Sequence, residues 1–117
     1  MSMEADLSTL LKTVCPRTFP DVAPSGTAAP FIAWQALGGE SLRYLDNTAP
    51  DKRNTYMQVS VYSKTRAEAL ALIRAAESAM CASPAIIVKP QGEPISSYED
   101  GTQLYGSIQR FSIWAAR

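Results

Sequence analysis

The sequence contains no histidine, and its 117 residues include only two cysteines, Cys15 and Cys81. Two thiols without an imidazole supply too few ligands for a zinc site. A nucleophilic serine or cysteine would likewise have no histidine to activate it. Two cysteines in a chain of this length do not make a disulfide framework, so we expect ordinary packed thiols. The shortage of these residues predicts a protein that binds neither a metal nor a cofactor.

Neither sign of charge prevails, because eleven basic residues balance eleven acidic ones and the basic residues are scattered along the chain. A nucleic-acid partner would require a cationic stripe or patch, so we expect no sequence-specific nucleic-acid binding. No apolar run approaches the roughly 18 residues that cross a bilayer. The first residues are acidic, whereas an export signal starts with a basic segment. The sequence therefore predicts a protein that is cytosolic when made and has no membrane partner.

Motifs of catalysis are also scarce. Glu99-Asp100 is the one pair of adjacent carboxylates, and because Gly101 follows it the pair is typical of a turn. The other glycines lack the Gly-x-Gly-x-x-Gly spacing of a phosphate-binding loop. With 46% hydrophobic and 19% charged residues, the composition is that of a globular domain. We therefore expect a folded protein that is not an enzyme.

The clearest pattern in the chain is an alternating strand at residues 53–63 that leads into a helix. A period of two indicates a half-buried strand, with Met57, Val59 and Val61 on one face and Tyr56, Gln58, Ser60 and Tyr62 on the other. Thr65 and Glu68 then have the spacing of a capping box, which predicts the start of a helix. The apolar residues of that helix fall within one arc, and they are Ala69, Leu72, Ile73, Ala76 and Met80.

The remaining elements follow from periodicity and from proline and glycine. Apolar spacing predicts a first helix at residues 3–14, and prolines predict a loop at residues 20–30. We expect strands at 31–37, 42–45 and 85–89, the last at a sheet edge because prolines follow it. A hairpin should join residues 95–98 to residues 102–115, and apolar groups on both faces of its second strand place that strand inside the sheet or at an interface.

Together these elements predict a single α+β domain over residues 1–117. The most economical arrangement is an antiparallel sheet of four to five strands with two helices packed on one face, in the order α-β-β-β-α-β-β. A sheet with both helices on one face leaves its other face without a helix.

The order and spacing of the elements resemble the tail completion, or tail terminator, proteins of long-tailed bacteriophages. The resemblance covers nearly the whole chain. It rests on the first helix, the Pro-Phe-Ile-Ala-Trp-Gln run at residues 30–35, the Val-Ser-Val-Tyr-Ser strand at 59–63, the Thr-x-x-Glu-Ala helix start at 65–69 and the closing hairpin.

Such a family implies an α+β subunit that assembles as a ring, often sixfold, on the end of the tail tube. There it would stop polymerisation and present a surface to the head-completion proteins. The resemblance thus implies three partners: further copies of the chain, the tail-tube protein and a head-completion protein. It also implies assembly in the bacterial host cytoplasm and a final place in the virion tail.

The polar face of the central strand has two interpretations, a solvated surface with ordinary tyrosines or a contact between subunits. Tyrosine and arginine are enriched at protein interfaces, and with the family resemblance we favour the contact. A ring needs two different complementary edges, for which the strand near residues 86–89 and the loop at 42–51 are candidates. The expected interface residues are Arg43, Tyr44, Asp46, Arg53, Tyr56, Gln58, Tyr62 and Arg110, with Arg53 and Arg110 near the face that carries Tyr56, Gln58 and Tyr62.

A function of another class remains open from the sequence. The same α+β scaffold would also serve a small bacterial binding module that holds a peptide or a small ligand in a pocket. A stable monomer with a closed apolar pocket would favour that alternative.

Overall fold

The structure, a computed structural model, describes residues 3–24, 26–40 and 52–116. These residues form two helices and six strands in a single sheet, which confirms the α+β class. The elements are α1 (Met3–Val14), β1 (Thr18–Pro20), β2 (Phe31–Ala36), β3 (Lys52–Ser63), α2 (Arg66–Ala82), β4 (Ile87–Pro90), β5 (Ile95–Glu99) and β6 (Leu104–Ala116).

The sheet has the order β1-β2-β3-β6-β4, and β5 also pairs with β6. Because β3 occupies one edge of β6 over nearly its whole length, β4 and β5 follow one another along the other edge. All pairs are antiparallel except β1 and β2, which run parallel. The sheet is therefore mixed, and its six described strands exceed the four to five that were expected.

The extra strand, β1, is the element that the sequence did not predict. It spans three residues, Thr18–Pro20, between the predicted end of the first helix and the loop expected at residues 20–30. The expected strand at residues 42–45 lies outside the described residues. Elsewhere the predicted elements are present with small shifts, since the strand expected at 85–89 is β4 and the long strand expected at 102–115 is β6.

The junction between β3 and α2 explains why the central unit forms. The Thr65 hydroxyl accepts a hydrogen bond from the Glu68 backbone N–H at 3.2 Å, as the capping box predicts. The Glu68 carboxylate, however, accepts from the Ser63 hydroxyl, the last residue of β3. The cap thus ties the end of the strand to the first turn of the helix.

The hydrophobic core lies between the helices and one face of the sheet. On β3 the predicted alternation is confirmed, with Met57, Val59 and Val61 all at 0% exposure. Phe111 and Ile113 extend this apolar surface on β6. The helices cover it with their own apolar stripes, which are Met3, Leu7 and Leu11 from α1 and Ile73, Ala76 and Met80 from α2. We call the opposite side of the sheet the open face; it carries Tyr56, Gln58, Ser60 and Tyr62 of β3.

An ion pair joins α1 to the sheet. Arg53 Nη2 lies 2.6 Å from both carboxylate oxygens of Glu4. This hydrogen bond holds the pKa of Glu4 below its ordinary value of 4.5, against a smaller opposing effect of burial. Because the folded-state pKa is lowered, the pair stabilises the fold above pH 4.5, and this stabilisation is lost as the pH falls through the folded-state pKa.

We expect the Arg53→Met variant to lose less free energy of unfolding than the wild type between pH 7 and pH 3, because its Glu4 has no ion pair to lose. Both side chains are about one-third exposed, at 32% and 38%, so the difference should stay under about 1 kcal/mol. Urea unfolding at the two pH values measures it. The matched control is Arg74→Met, which breaks a longer and more exposed pair with Glu93; equal pH dependence in the Arg53 variant and the wild type would contradict the prediction.

Candidate assembly surface

Tyr56, Gln58 and Tyr62 share the open face, as the alternation in β3 predicted, and the register brings Arg110 of β6 to the same face. Gln58 pairs with Arg110 on β6 and with Gln35 on β2. Tyr62, two steps further along β3, is half-buried, while Arg110 is exposed. The structure therefore gathers these predicted residues on one continuous surface.

Arg53 does not join this surface. It pairs with Ala115 on β6, five positions along the ladder from the pair of Gln58 with Arg110. Its odd position in β3 places it on the helix side, where Glu4 binds its guanidinium. Arg53 therefore lies on the side of the sheet away from Tyr56, Gln58 and Tyr62, in contrast to the expectation, whereas Arg110 lies on their side. The other predicted interface residues, Arg43, Tyr44 and Asp46, lie outside the described residues.

Tyr62 on the open face takes part in an aromatic pair that was not predicted from the sequence. Tyr62 packs against Phe31 of β2 with ring centroids 5.3 Å apart and an angle of 32° between the rings. Gly106 of β6 lies beneath the tyrosine, because a Cβ there would come within 3.2 Å of Tyr62 Cε1. A glycine inside a strand often marks such a close approach, and this was the signal available in the sequence.

A groove of about 690 Å³ lies on the open face. It forms because the parallel pairing of β1 with β2 requires a crossover, residues 21–30, which passes over this side of the sheet. Gln35, Gln58, Ser60 and Tyr62 form its floor, and Asp21 and Val22 belong to its crossover wall. The groove was not predicted, because it depends on a strand that the sequence did not reveal.

Asn54, on the same side of β3 as Tyr56, makes hydrogen bonds within the fold. Its side-chain amide donates to Ser112 Oγ at 2.9 Å and to the Ile113 carbonyl at 3.2 Å. Its Oδ1 accepts from the Glu40 backbone N–H at 3.0 Å. Since these bonds use its donors and its acceptor oxygen, Asn54 holds the β2–β3 and β3–β6 junctions together rather than offering groups to a partner.

The two cysteines of the chain differ in their surroundings. Cys15 is buried and its thiol points to the Pro30 carbonyl at 3.4 Å, while Cys81 is exposed near the end of α2. Partial burial, aided by the nearby Glu77, raises the pKa of the Cys81 thiol. Among the described residues, no three Cys, Asp or Glu side chains gather in a metal-binding arrangement. The open face thus offers aromatic rings, amides and charges for non-covalent contact.

Neither described helix is long and apolar enough to cross a membrane. In a comparison with known protein families, the family model described as Tail completion protein gp17 matches residues 2–116. A search of individual curated proteins found no match. The matched range includes both helices and every strand described above.

Proposed function

The chain belongs to the tail completion protein gp17 family, and from this membership we propose that it assembles as a ring on the end of the phage tail tube. The ring ends tube polymerisation and offers the surface to which the head-completion protein binds. Family membership by itself makes the chain a structural component of the virion tail that contacts other tail proteins. The ring, the capping step and assembly in the host cytoplasm are our proposal.

The open face is the observation that carries the proposal. A cap must bind the tube end with one surface and leave exposed another surface to which the next tube subunit cannot bind. These two surfaces must therefore differ. In this chain both helices cover one side of the sheet, whereas the other side displays Tyr56 and Arg110 together with a groove lined by Gln58 and Tyr62. Tyrosine and arginine are residues that dominate binding energy at interfaces. This construction gives the subunit two unlike sides, as a cap requires, and binding through them requires no covalent chemistry.

Polymerisation of purified tail-tube protein tests the proposal. Tubes are grown with and without the chain, and their lengths and ends are measured by electron microscopy. A cap predicts a bounded length distribution and a ring of density at tube ends in the presence of the chain. Unchanged tube growth together with no binding of the chain to tubes would overturn the proposal.

The groove on the open face favours a second candidate, the small binding module. Its volume of about 690 Å³ lies within the roughly 300–1,000 Å³ range of small-ligand sites. A chain that stays monomeric, leaves tube growth unchanged and gains thermal stability from a bound peptide would support this candidate instead.

A further inference from the structure

At the β4 end of the open face, Arg110 and Lys89 are exposed cations with no ion-pair partner among the described residues. Arg110 lies on β6, and Lys89 of β4 pairs with Ser112, two positions further along β6. Such diagonal neighbours have α-carbons about 7–8 Å apart, so two like charges lie side by side. The ion pairs that the described residues do form involve Arg53 and Arg74. Arg110 and Lys89 therefore make a compact cationic patch.

The complementary charge lies at the far end of the same face. The turn between β5 and β6 begins with Glu99-Asp100, both exposed, and Glu99 pairs with Leu104 at the start of β6. Leu104 and Arg110 are both on the open face but six residues apart, which is about 20 Å along a strand. Because β5 is hydrogen-bonded to β6 through residues 95–99, the acidic tip cannot fold back to its own cationic patch.

The hairpin that carries the acidic tip is itself exposed. All five residues of β5 are exposed, Ile95 at 64% and Tyr98 at 50%. Tyr98 packs against Tyr105 with ring centroids 4.8 Å apart, and Tyr105 is also 37% exposed. The register places Ile95 on the open face, opposite Ile108, and the two tyrosines on the other side of the hairpin.

We propose that the acidic tip of the β5–β6 hairpin, Glu99-Asp100, docks against the Arg110–Lys89 patch of a second copy of this chain. The two patches have opposite charge and lie at opposite ends of one molecule, so each copy offers a tip to one neighbour and a patch to another. A contact of this head-to-tail type generates a ring when its rotation closes. This inference rests on the proposed ring and assigns the residues that form its subunit contact.

Charge reversal tests the docking. The tip variant combines Glu99→Lys with Asp100→Lys, and the patch variant combines Arg110→Glu with Lys89→Glu. We expect each variant alone to self-associate at least about tenfold more weakly than the wild type at low salt, because like charges then face each other. Sedimentation velocity over a range of concentrations, alone and with tail tubes, measures the association. The control combines Lys12→Glu with Arg66→Glu, two exposed cations on the helices, and should associate as the wild type does.

Rescue distinguishes docking from damage to the fold. In an equal mixture of the two variants, the basic tip of one meets the acidic patch of the other, and the acidic tip of the second meets the basic patch of the first. Assembly should therefore return in rings where the two variants alternate, which have an even number of subunits. A chain carrying all four reversals should also assemble. The inference would be overturned if the tip variant and the patch variant each assembled like the wild type, or if mixing them did not restore assembly. The proposed function would still stand in that case if the wild type caps tubes. A wild type that neither caps nor binds tubes overturns the proposed function itself.

Discussion

Replacing Phe111 with alanine should lower the free energy of unfolding by about 3–5 kcal/mol. Phe111 has 0% exposure and is the largest of the fully buried side chains. It pairs with Met57 on β3 and with Pro90 on β4, so its ring lies at the centre of the face that the helices cover. Removing the ring loses its transfer free energy and leaves a cavity that a fixed sheet cannot fill.

The size of this effect makes it easy to measure. A domain of this length has a total stability of about 5–15 kcal/mol, so the melting temperature should fall by roughly 10–20 °C. Urea or thermal unfolding followed by circular dichroism gives both quantities. Phe19→Ala is the matched control, because Phe19 is half-buried on β1, outside the main core, and its removal should cost less than half as much. Equal losses in the two variants would contradict the assigned position of the core.

Replacing Tyr56 with threonine should impair assembly while leaving the fold nearly unchanged. Tyr56 is half-buried on the open face opposite Ser112, and threonine keeps the preference for a strand. Its backbone N–H and carbonyl remain bonded to Gly38 and Leu37, each at 2.7 Å. If its ring is an anchor of the interface, its loss weakens each contact by about 2 kcal/mol, which is about 30-fold in the dissociation constant.

Completion of tails in a mixture that lacks the wild-type chain measures this effect. Leu70→Ala is the matched control, since Leu70 is 37% exposed on α2 and its removal takes an apolar group from the helix side. We expect the Leu70 variant to complete tails as the wild type does. A Tyr56 variant that completes tails normally, or a folded Leu70 variant that does not complete them, would contradict the assignment of the open face as the assembly surface.

The sequence predicted best those elements whose signal is local. The alternation that buries Met57 and Val61, and the cap at Thr65, lie within a few residues of the contacts they determine, and the structure confirms both. The same alternation places Arg53 on the face of Met57, so its position away from Tyr56 and Tyr62 was readable from the sequence. The interface prediction included Arg53 because arginine is common at interfaces, and it did not take the position of Arg53 in the strand into account.

The features that escaped prediction depend on pairing between distant residues. β1 is recognisable only through its parallel partner, since Thr18 pairs with Ile32 fourteen positions later. The crossover that walls the groove follows from that pairing. Likewise, the approach of Gly106 to Tyr62 arises from the register of β6 against β3. Strand register sets which side chains meet; Gly106 signals that something approaches β6 closely, but no local pattern identifies Tyr62 as that neighbour.

Oxidative footprinting of the chain, free and on completed tails, tests most directly whether the open face is the assembly surface. Hydroxyl radicals label exposed side chains, and mass spectrometry reports the rate at each residue. Tyr56 and Tyr62 report on the open face, while Leu70 and the exposed thiol of Cys81 report on α2. We expect the labelling of both tyrosines to fall severalfold on completed tails and that of Leu70 and Cys81 to stay constant. Protection of α2 with unchanged labelling of the tyrosines would contradict the account.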